Sequence, residues 1–496
     1  MDKFLRFGPE IKIMRLTLFV FSILVSTACV AQQGYDIKFK IAGLKDTIVY
    51  LGNFYGETTY IKDTARVNGQ GEFAFESKKP LTYQGVYFLV LGKVKQFDMV
   101  IGANQHFSMT TSRDDYVRDM KVTGDLDNSL FFENMIFNAE RHKEAEPYLK
   151  VIQDSTLTED KKKEARAAFA KLNEKVVNYQ TDIINKHPNT VTAKILKASQ
   201  AIKIPDSPKK ADGTIDSTFQ LRWYREHFFD NFDLGDPTLI CLPRPLYSEK
   251  ITEYLDKLYS PQADSITKAI DKIVAKAKKN QETYKYATWM CLLKYQQPEI
   301  MGLDEVYVNV YDKYYASGEM DFWVNAKLKK NLKDHADRLR KSLVGNKAPN
   351  LIMQDANLKP RSMYDIKNKY TILFIFNPDC GHCKEETPKL VSLHNSKKFD
   401  VEVYAVSTDT SMAKMRSFIK EMKTTKWITV NGPRSYVGPY QDLYDALVTP
   451  SLYIIDDKKK IIAKKVPTDK IEDFLTQYEK FQRAKAAAPP KAPAKL

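Results

Sequence analysis

Cysteine is scarce in this sequence. Five cysteines occur among 496 residues, and beyond residue 31 there are four: Cys241, Cys291, Cys380 and Cys383. So few cysteines exclude a disulfide framework as the main support of a chain this long. Cys241 and Cys291 stand among apolar residues and are expected to be buried thiols, with a disulfide between them as the alternative.

Long hydrophobic runs are lacking too. The apolar segment from Leu16 to Val25 is too short to cross a bilayer comfortably, and it lies between Arg15 and a stretch of small residues. This pattern is typical of a secretory signal, which we assign to residues 1–31 and expect to be cleaved after Ala31. Lipidation of Cys29, which would anchor the chain to a membrane, is one alternative, although Ser26 is a poor match to lipoprotein signals. An uncleaved anchor is the other.

Positive charge is in moderate excess: the sequence has 77 Lys and Arg and 62 Asp and Glu, which gives a formal net charge of +15. Because the two signs are mixed along mostly helical stretches, we expect a solvated, lysine-rich surface and no nucleic-acid partner.

The length predicts two to four domains. At 43% hydrophobic residues, the chain can bury substantial cores.

An all-β domain with antiparallel strands is predicted for residues 32–125. Six short runs have apolar residues at every second position, with Gly, Asn and Asp between them: "YDIKFKIA", "TIVYLGN", "GEFAFES", "GVYFLVLG", "QFDMVIG" and "QHFSMTTS". A sandwich or an open barrel fits this pattern, and "NGQGEF" at Asn68–Phe73 predicts a hairpin turn. The segment contains no cluster of catalytic residue types.

A mainly helical domain is predicted for residues 126–340. Asp127 or Asn128 is expected to cap its first helix. Two further segments place apolar residues on one helical face: Phe169, Leu172, Val176, Tyr179 and Ile183 before a stop at Pro188, and Ile266, Ile270, Ile273 and Ala277.

The aromatic and proline-rich segment 221–247 fits no regular element. His227, Asp230 and Asp233 lie near several aromatic residues there, which is compatible with a ligand cleft. The same composition suits a packed connection between helices, which is the interpretation we favour.

Residues 341–482 predict an α/β domain with a mixed sheet, because strands and helices alternate. The predicted strands are 370–376, 401–408, 451–456 and 460–466, and the predicted helices begin after Cys380, at Ser411 and at Thr468. The tail, residues 483–496, consists almost entirely of Ala, Pro and Lys and is predicted to be disordered.

Cys380 and Cys383 form a CxxC pair between a strand and a helix. A thiolate at a helix amino terminus is stabilised by the helix dipole and by unpaired N–H groups, so Cys380 is the expected nucleophile. Cys383, one turn later, is the expected resolving thiol. A structural zinc site would need further ligands, and no second CxxC exists; only His382 and His394 are nearby imidazoles. A purely structural disulfide would gain little from so small a loop.

The predicted α/β domain, residues 341–482, resembles the thioredoxin fold, and specifically the TlpA-like exported thiol-disulfide oxidoreductases. The residues that carry the resemblance are "GNKAPNL" at 345–351, "FNPDCGHC" at 376–383, Pro388, and "VTPSLYIID" at 448–456. The resemblance implies a cis bond between Thr449 and Pro450 that faces the cysteines. It also implies that the redox-active disulfide is the only cofactor and that the protein works in the periplasm. The preceding β and helical domains more weakly resemble those that precede thioredoxin domains in other exported proteins.

Three further residues are candidates for supporting roles. Gly381 and His382 complete a CGHC motif similar to that of protein disulfide isomerases, in which the histidine is expected to favour the Cys380 thiolate and make the disulfide more oxidising. Glu386 matches a glutamate that exported members often carry, and it is either a proton carrier for the resolving thiol or an ordinary solvated glutamate. Phe374 stands where cytoplasmic thioredoxins bury an aspartate.

The sequence therefore predicts a periplasmic enzyme that exchanges disulfides with exported client proteins and is served by a membrane or periplasmic redox partner. The alternative is a client-binding or scaffolding protein in which the thiol pair is secondary. The stretch "GNKAPNL" also fits a peroxiredoxin. Peroxide reduction needs a threonine three residues before the reactive cysteine, however, and Asn377 occupies that position before Cys380.

Overall fold

The computed structural model describes residues 34–487, so the predicted signal sequence, with Cys29 and Ala31, lies outside the described residues. The chain divides between Lys250 and Ile251 into two compact units. This division falls within the predicted helical region.

The first unit begins with a sandwich of two four-stranded sheets. Its strands are β1 (Tyr35–Ala42), β2 (Ile48–Tyr55), β3 (Thr58–Arg66), β4 (Glu72–Ser77), β5 (Gly85–Leu91), β6 (Val94–Ile101), β7 (His106–Ser112) and β8 (Lys121–Thr123). The sheet orders are β4-β1-β7-β8 and β3-β2-β5-β6. The alternating residues Ile37, Val49 and Met99 are fully buried in one core shared by both sheets, which confirms the predicted all-β class. β1 and β7 pair in parallel, whereas an antiparallel domain was expected.

The predicted hairpin at Asn68–Phe73 is wrong. Asn68 does form a tight turn, in which its side-chain Oδ1 accepts the N–H groups of Gln70 and Glu72. However, the turn carries the chain from β3 in one sheet to β4 in the other. Gly71 has a φ of +79°, and a Cβ there would lie 2.3 Å from the carbonyl oxygen of Ile41. The turn residues were recognised, but their sequence does not specify which sheet the next strand joins.

Helices complete the first unit: α1 (Leu126–Gln153), α2 (Glu159–Lys186), α3 (Val191–Ser199) and α4 (Phe219–His227), while α5 (Leu246–Leu258) spans the division between units. The residue that caps α1 is Asp125, not Asp127 or Asn128. The Asp127 carboxylate instead accepts the N–H groups of Val191 and Thr192 at the start of α3. The Asn128 side chain bonds the backbone of β6, so both residues fix α1 to its neighbours.

The predicted face of α2 is only half-buried, apart from Ile183. Tyr179 stacks on Phe137 of α1 with ring centroids 4.1 Å apart. The aromatic segment 221–247 is packed, as favoured: Phe228, Phe229 and Phe232 are buried, and Asp230 and Asp233 are exposed. His227 stacks on Trp223 of the same helix.

The second unit contains helices α6 (Ala263–Ala277), α7 (Gln281–Lys294), α8 (Asp304–Val310) and α9 (Ala326–Lys341). The predicted face of α6, from Ile266 to Ala277, is buried. Together with the helices of the first unit, these elements confirm the mainly helical middle region.

A seven-stranded mixed sheet follows in the second unit, in the order β10-β9-β13-β12-β11-β14-β15. Its strands are β9 (Ile352–Asp355), β10 (Pro360–Ser362), β11 (Tyr370–Phe376), β12 (Val401–Ser407), β13 (Ile428–Ser435), β14 (Ser451–Asp456) and β15 (Ile461–Lys464). Helices α10 (Gly381–Ser396), α11 (Met412–Glu421) and α12 (Ile471–Ala487) accompany it. Each face of β11 packs into its own apolar core, which confirms the α/β class.

The last helix, α12, continues to Ala487, five residues into the segment predicted to be disordered. Alanine, lysine and arginine are strong helix formers, so the helix extends beyond its last buried contacts. The remaining tail, residues 488–496, lies outside the described residues. Within residues 34–487, none of the helices combines the length and apolar character needed to cross a membrane.

Candidate active site

Strand β11 places the cysteine pair at the end of the central sheet. All seven of its residues are buried between β12 and β14, which fixes the point where the chain leaves the core. A turn follows in which Asn377 accepts the N–H of Asp379 through its side chain and that of Cys380 through its carbonyl. Cys380 thereby becomes the N-cap residue of α10.

The Cys380 sulfur is half-buried and lies between two polar backbone groups. Its Sγ accepts the N–H of Cys383 at 3.3 Å and donates to the carbonyl oxygen of Thr449 at 3.5 Å. Burial raises the pKa of Cys380, but hydrogen bonds from the side chain and backbone of Cys383, from the Thr449 side chain and from the His382 backbone outweigh it and leave the pKa below its usual value.

Cys383 has the opposite environment. It is fully buried in the core below α10. Burial, followed by the hydrogen bond to Cys380, raises the pKa of Cys383 to about 12. Both residues are thiols in this structure, as are the buried Cys241 and Cys291, for which the alternative of a disulfide is wrong.

The bond between Thr449 and Pro450 is cis, as the resemblance implied. The Thr449 carbonyl reaches the Cys380 sulfur, so this loop lies directly beside the pair. Leu447 and Val448, which precede it, are 62% and 67% exposed. An apolar edge therefore flanks the reactive thiol.

The two residues between the cysteines are exposed. A Cβ added at Gly381 would have no other atom of the described residues within 4 Å, apart from its neighbours in the chain and the backbone of its own helix. The His382 imidazole lies 3.3 Å from the Glu385 carboxylate. It is the backbone of His382, rather than its ring, that helps to lower the pKa of Cys380.

Glu386, one turn after Cys383, is half-buried and held by two partners. Lys389 donates to one carboxylate oxygen at 2.7 Å, and the Thr468 hydroxyl donates to the other. The hydrogen bond from Lys389, with that from Thr468, lowers the pKa of Glu386, so the group is a carboxylate at neutral pH.

A cleft of about 430 Å³ opens beside Pro450, the neighbour of the residue whose carbonyl contacts the Cys380 sulfur, and we call it the active-site cleft. Neither cysteine is among its lining residues. Its lining includes Gln297, Phe374, Glu386, Val448, Pro450 and Thr468. Phe374, in the position of the buried aspartate of cytoplasmic thioredoxins, makes this part of the cleft apolar and leaves Glu386 and Asp445 as the acidic groups of the lining.

Sequence reasoning missed Thr468 and Gln297. They lie 82 residues after and 89 residues before Glu386, and neither stands in a motif. No sequence signal could have placed them at the site. Within residues 34–487, no group of three or more His, Cys, Asp or Glu side chains is arranged to hold a metal ion.

Comparisons with known proteins give three matching families along the chain. Residues 344–464 match the AhpC/TSA family. Residues 35–131 and 170–337 match two domains of unknown function, DUF4369 and DUF5106 respectively.

Among curated proteins, the chain is similar to "Thiol-disulfide oxidoreductase ResA" of Bacillus subtilis, with 26% identity over 135 residues, 27% of this chain and 73% of that protein. A protein of the same name from Bacillus cereus is 24% identical over 25% of this chain and 70% of its own length.

Two solved structures are also similar. A domain of a possible thiol-disulfide isomerase from Cytophaga hutchinsonii is 39% identical, covering 29% of this chain and 97% of that chain, with a TM-score of 0.27. A thioredoxin-like protein from Bacteroides caccae is 21% identical, covering 56% of this chain and 100% of that chain, with a TM-score of 0.45. Through a carboxy-terminal domain of the AhpC/TSA family, with its CGHC pair beside a cis-proline, this chain belongs to the thioredoxin-fold thiol-disulfide oxidoreductases.

Proposed function

We propose that the protein exchanges disulfides with exported client proteins through Cys380 and Cys383. The observation that carries the proposal is the contrast between the two thiols. Cys380 is accessible and has a lowered pKa, whereas Cys383 is buried and has a pKa of about 12. A nucleophile must be reached by its client, and a resolving thiol must be kept from competing with it.

In the reducing direction, the Cys380 thiolate attacks one sulfur of a client disulfide. The client S–S bond breaks, one client sulfur leaves as a thiolate, and a mixed disulfide joins Cys380 to the other. Cys383 then loses its proton and attacks the Cys380 sulfur, which releases the second client thiol. Two electrons pass to the client, and Cys380 and Cys383 end as a disulfide; oxidation of a client is the same sequence in reverse.

Glu386 is the proposed proton acceptor for Cys383. It is an ionised carboxylate one helical turn away and lines the active-site cleft. Its ion pair with Lys389 makes it a weak base, so its contribution is to accept a proton transiently while Cys383 attacks.

The other parts of the proposal follow from the redox cycle. The pair needs no cofactor beyond its own disulfide, and a membrane or periplasmic redox partner must return it to its starting state. We place the protein in the periplasm, with membrane attachment only if Cys29 is lipidated. We propose no nucleic-acid partner, because many lysines pair with neighbouring carboxylates, as Lys330 does with Asp334.

The test compares Cys380→Ser and Cys383→Ser with the unaltered protein, with insulin as the disulfide client. Cys380→Ser should abolish exchange, and Cys383→Ser should accumulate a mixed disulfide through Cys380. Unchanged client binding and an unchanged cellular phenotype in Cys380→Ser would instead support the scaffolding alternative. Peroxide consumption that depends on Cys380 would support a thiol peroxidase, although Asn377 offers no hydroxyl group to a peroxide.

A further inference from the structure

We propose that Gln297 is a specificity-determining residue, whose side-chain amide hydrogen-bonds the extended backbone of a polypeptide client while the client cysteine is engaged by Cys380. The inference rests on the proposed function and deepens it. It assigns part of client recognition to a helical segment outside the thioredoxin fold.

Gln297 lies in the connection between α7 and α8, well before the domain that matches the AhpC/TSA family at residues 344–464. It nevertheless lines the active-site cleft together with Pro450 and Glu386. Its side chain is exposed and makes no hydrogen bond to the described residues. The amide is therefore available to a molecule that enters the cleft.

The position of this connection is fixed by contacts with β15. The Met301 sulfur accepts the N–H of Lys464 at 3.3 Å. The Lys464 ammonium pairs with Asp304, and both side chains are only 5% exposed. β15 pairs with β14, which begins directly after Pro450. The connection that carries Gln297 is thus anchored, through Met301, to the same sheet as the cis-proline loop.

The chemistry of an amide suits a peptide backbone. A glutamine side chain both donates and accepts hydrogen bonds, as a peptide unit does. Leu447 and Val448 offer an exposed apolar edge to client side chains on the cleft. A volume of about 430 Å³ accommodates several client groups besides the cysteine. A small disulfide needs only the Cys380 sulfur, so Gln297 should matter for polypeptides alone.

The experiment uses the full chain with Cys383→Ser, so that only the attack of Cys380 is measured. Rates of mixed-disulfide formation are compared for insulin and for bis(2-hydroxyethyl) disulfide, which has no peptide groups. Gln297→Leu, which keeps the size but loses the amide, and Gln297→Ala are the test variants. Gln281→Leu, an exposed glutamine on α7 outside the cleft lining, is the matched control.

We expect both Gln297 variants to react about five- to tenfold more slowly with insulin, the loss expected from one hydrogen bond. Their rates with the small disulfide should stay within about twofold of the parent, and Gln281→Leu should change neither rate. Equal rates with insulin, or equal losses with both disulfides, would overturn the role of Gln297 and leave the proposed function intact. A parent protein that forms no mixed disulfide with either compound would overturn both.

Discussion

Cys380 and Cys383 are three positions apart, but they differ in burial and therefore in the pKa of their thiols. Cys380 caps a helix and reaches solvent, and Cys383 faces the core one turn later. The same hydrogen bond that lowers the pKa of the first thiol raises that of the second. A negative charge is thereby concentrated on the sulfur that clients can reach.

This contrast predicts the pH dependence of alkylation in the reduced protein. Because the pKa of Cys380 is lowered, its thiolate fraction should rise through a midpoint at a lower pH than that of an ordinary cysteine. Iodoacetamide should modify Cys380 with this midpoint, whereas Cys383, with a pKa of about 12, should stay unmodified through pH 10. The measurement is the alkylation rate of each cysteine by peptide mass analysis.

The control for this prediction is Cys383→Ala. The side-chain hydrogen bond from Cys383 is the largest influence that lowers the pKa of Cys380, so the variant should move the alkylation midpoint upward. An unchanged midpoint would show that the helix terminus alone sets the reactivity of Cys380.

Glu386→Gln is predicted to slow the resolving step by about tenfold or more, since Cys383 then has no carboxylate one turn away to take its proton. At a pKa of about 12, roughly one Cys383 in 10⁵ is a thiolate at neutral pH. The mixed disulfide should accumulate, as measured by acid quenching and alkylation. Lys389→Met removes the main influence that lowers the pKa of Glu386 and should not slow the step.

Glu385→Gln is the matched control, because Glu385 is exposed, contacts His382 and does not line the active-site cleft. Equal effects of the two substitutions would mean that general charge near the pair, rather than proton transfer by Glu386, sets the rate.

Some residues of the site could be predicted from the sequence, and others could not. Cys380, Cys383 and Pro450 stand in motifs whose spacing reflects local structure, so their places were predictable. The ring of His382 was expected to act on Cys380, but its contact is with Glu385 on the next helical turn, and side-chain direction is not encoded by the motif. Thr468 and Gln297 meet the site only through the tertiary fold.

At the level of elements, strands with a clear pattern were predictable and irregular ones were not. β11 is apolar except for Thr371 and was predicted with its observed bounds. β3 was missed because it is an edge strand with one buried residue in nine. Its sequence therefore lacks the alternation of apolar and polar residues that identifies a strand. β13 was missed because "NGPRS" is typical of a turn, yet it pairs with β12 and β9.

Strand β15 and helix α8 are joined by a buried ion pair, which yields a prediction on stability. Lys464→Met leaves the Asp304 carboxylate buried without its cation, and such a loss costs about 3–5 kcal/mol. The free energy of unfolding, measured in urea, should fall by about that amount. The double variant Lys464→Met/Asp304→Leu should recover most of it, because no uncompensated charge remains.

Lys330→Met is the control for that prediction. Lys330 pairs with Asp334 on α9, but the two side chains are 75% and 42% exposed. Its loss should cost less than about 1 kcal/mol. A cost as large as that of Lys464→Met would show that lysine removal itself, and not burial of the pair, is responsible.

At the scale of the whole molecule, the second unit does not begin where its recognisable family begins. The AhpC/TSA match starts at residue 344, whereas the compact unit starts at Ile251 and includes most of α5 together with α6 to α9. Contacts within that unit explain the difference. The Lys464 ammonium in β15 pairs with the Asp304 carboxylate of α8 and also donates to the carbonyl oxygen of Ser342 at 3.1 Å.

This arrangement predicts that the effect of Lys464→Met depends on where the chain begins. In a chain that starts at Leu246, Asp304 is present and the substitution should cost about 3–5 kcal/mol. In a chain that starts at Val344, Asp304 is absent and Lys464 is free to reach water, so the same substitution should cost less than about 1 kcal/mol. Urea unfolding of the four proteins measures both differences. A similar cost in both chains would mean that Lys464 stabilises the sheet itself, and that the helices before residue 344 are neighbours of the thioredoxin fold rather than part of its structure.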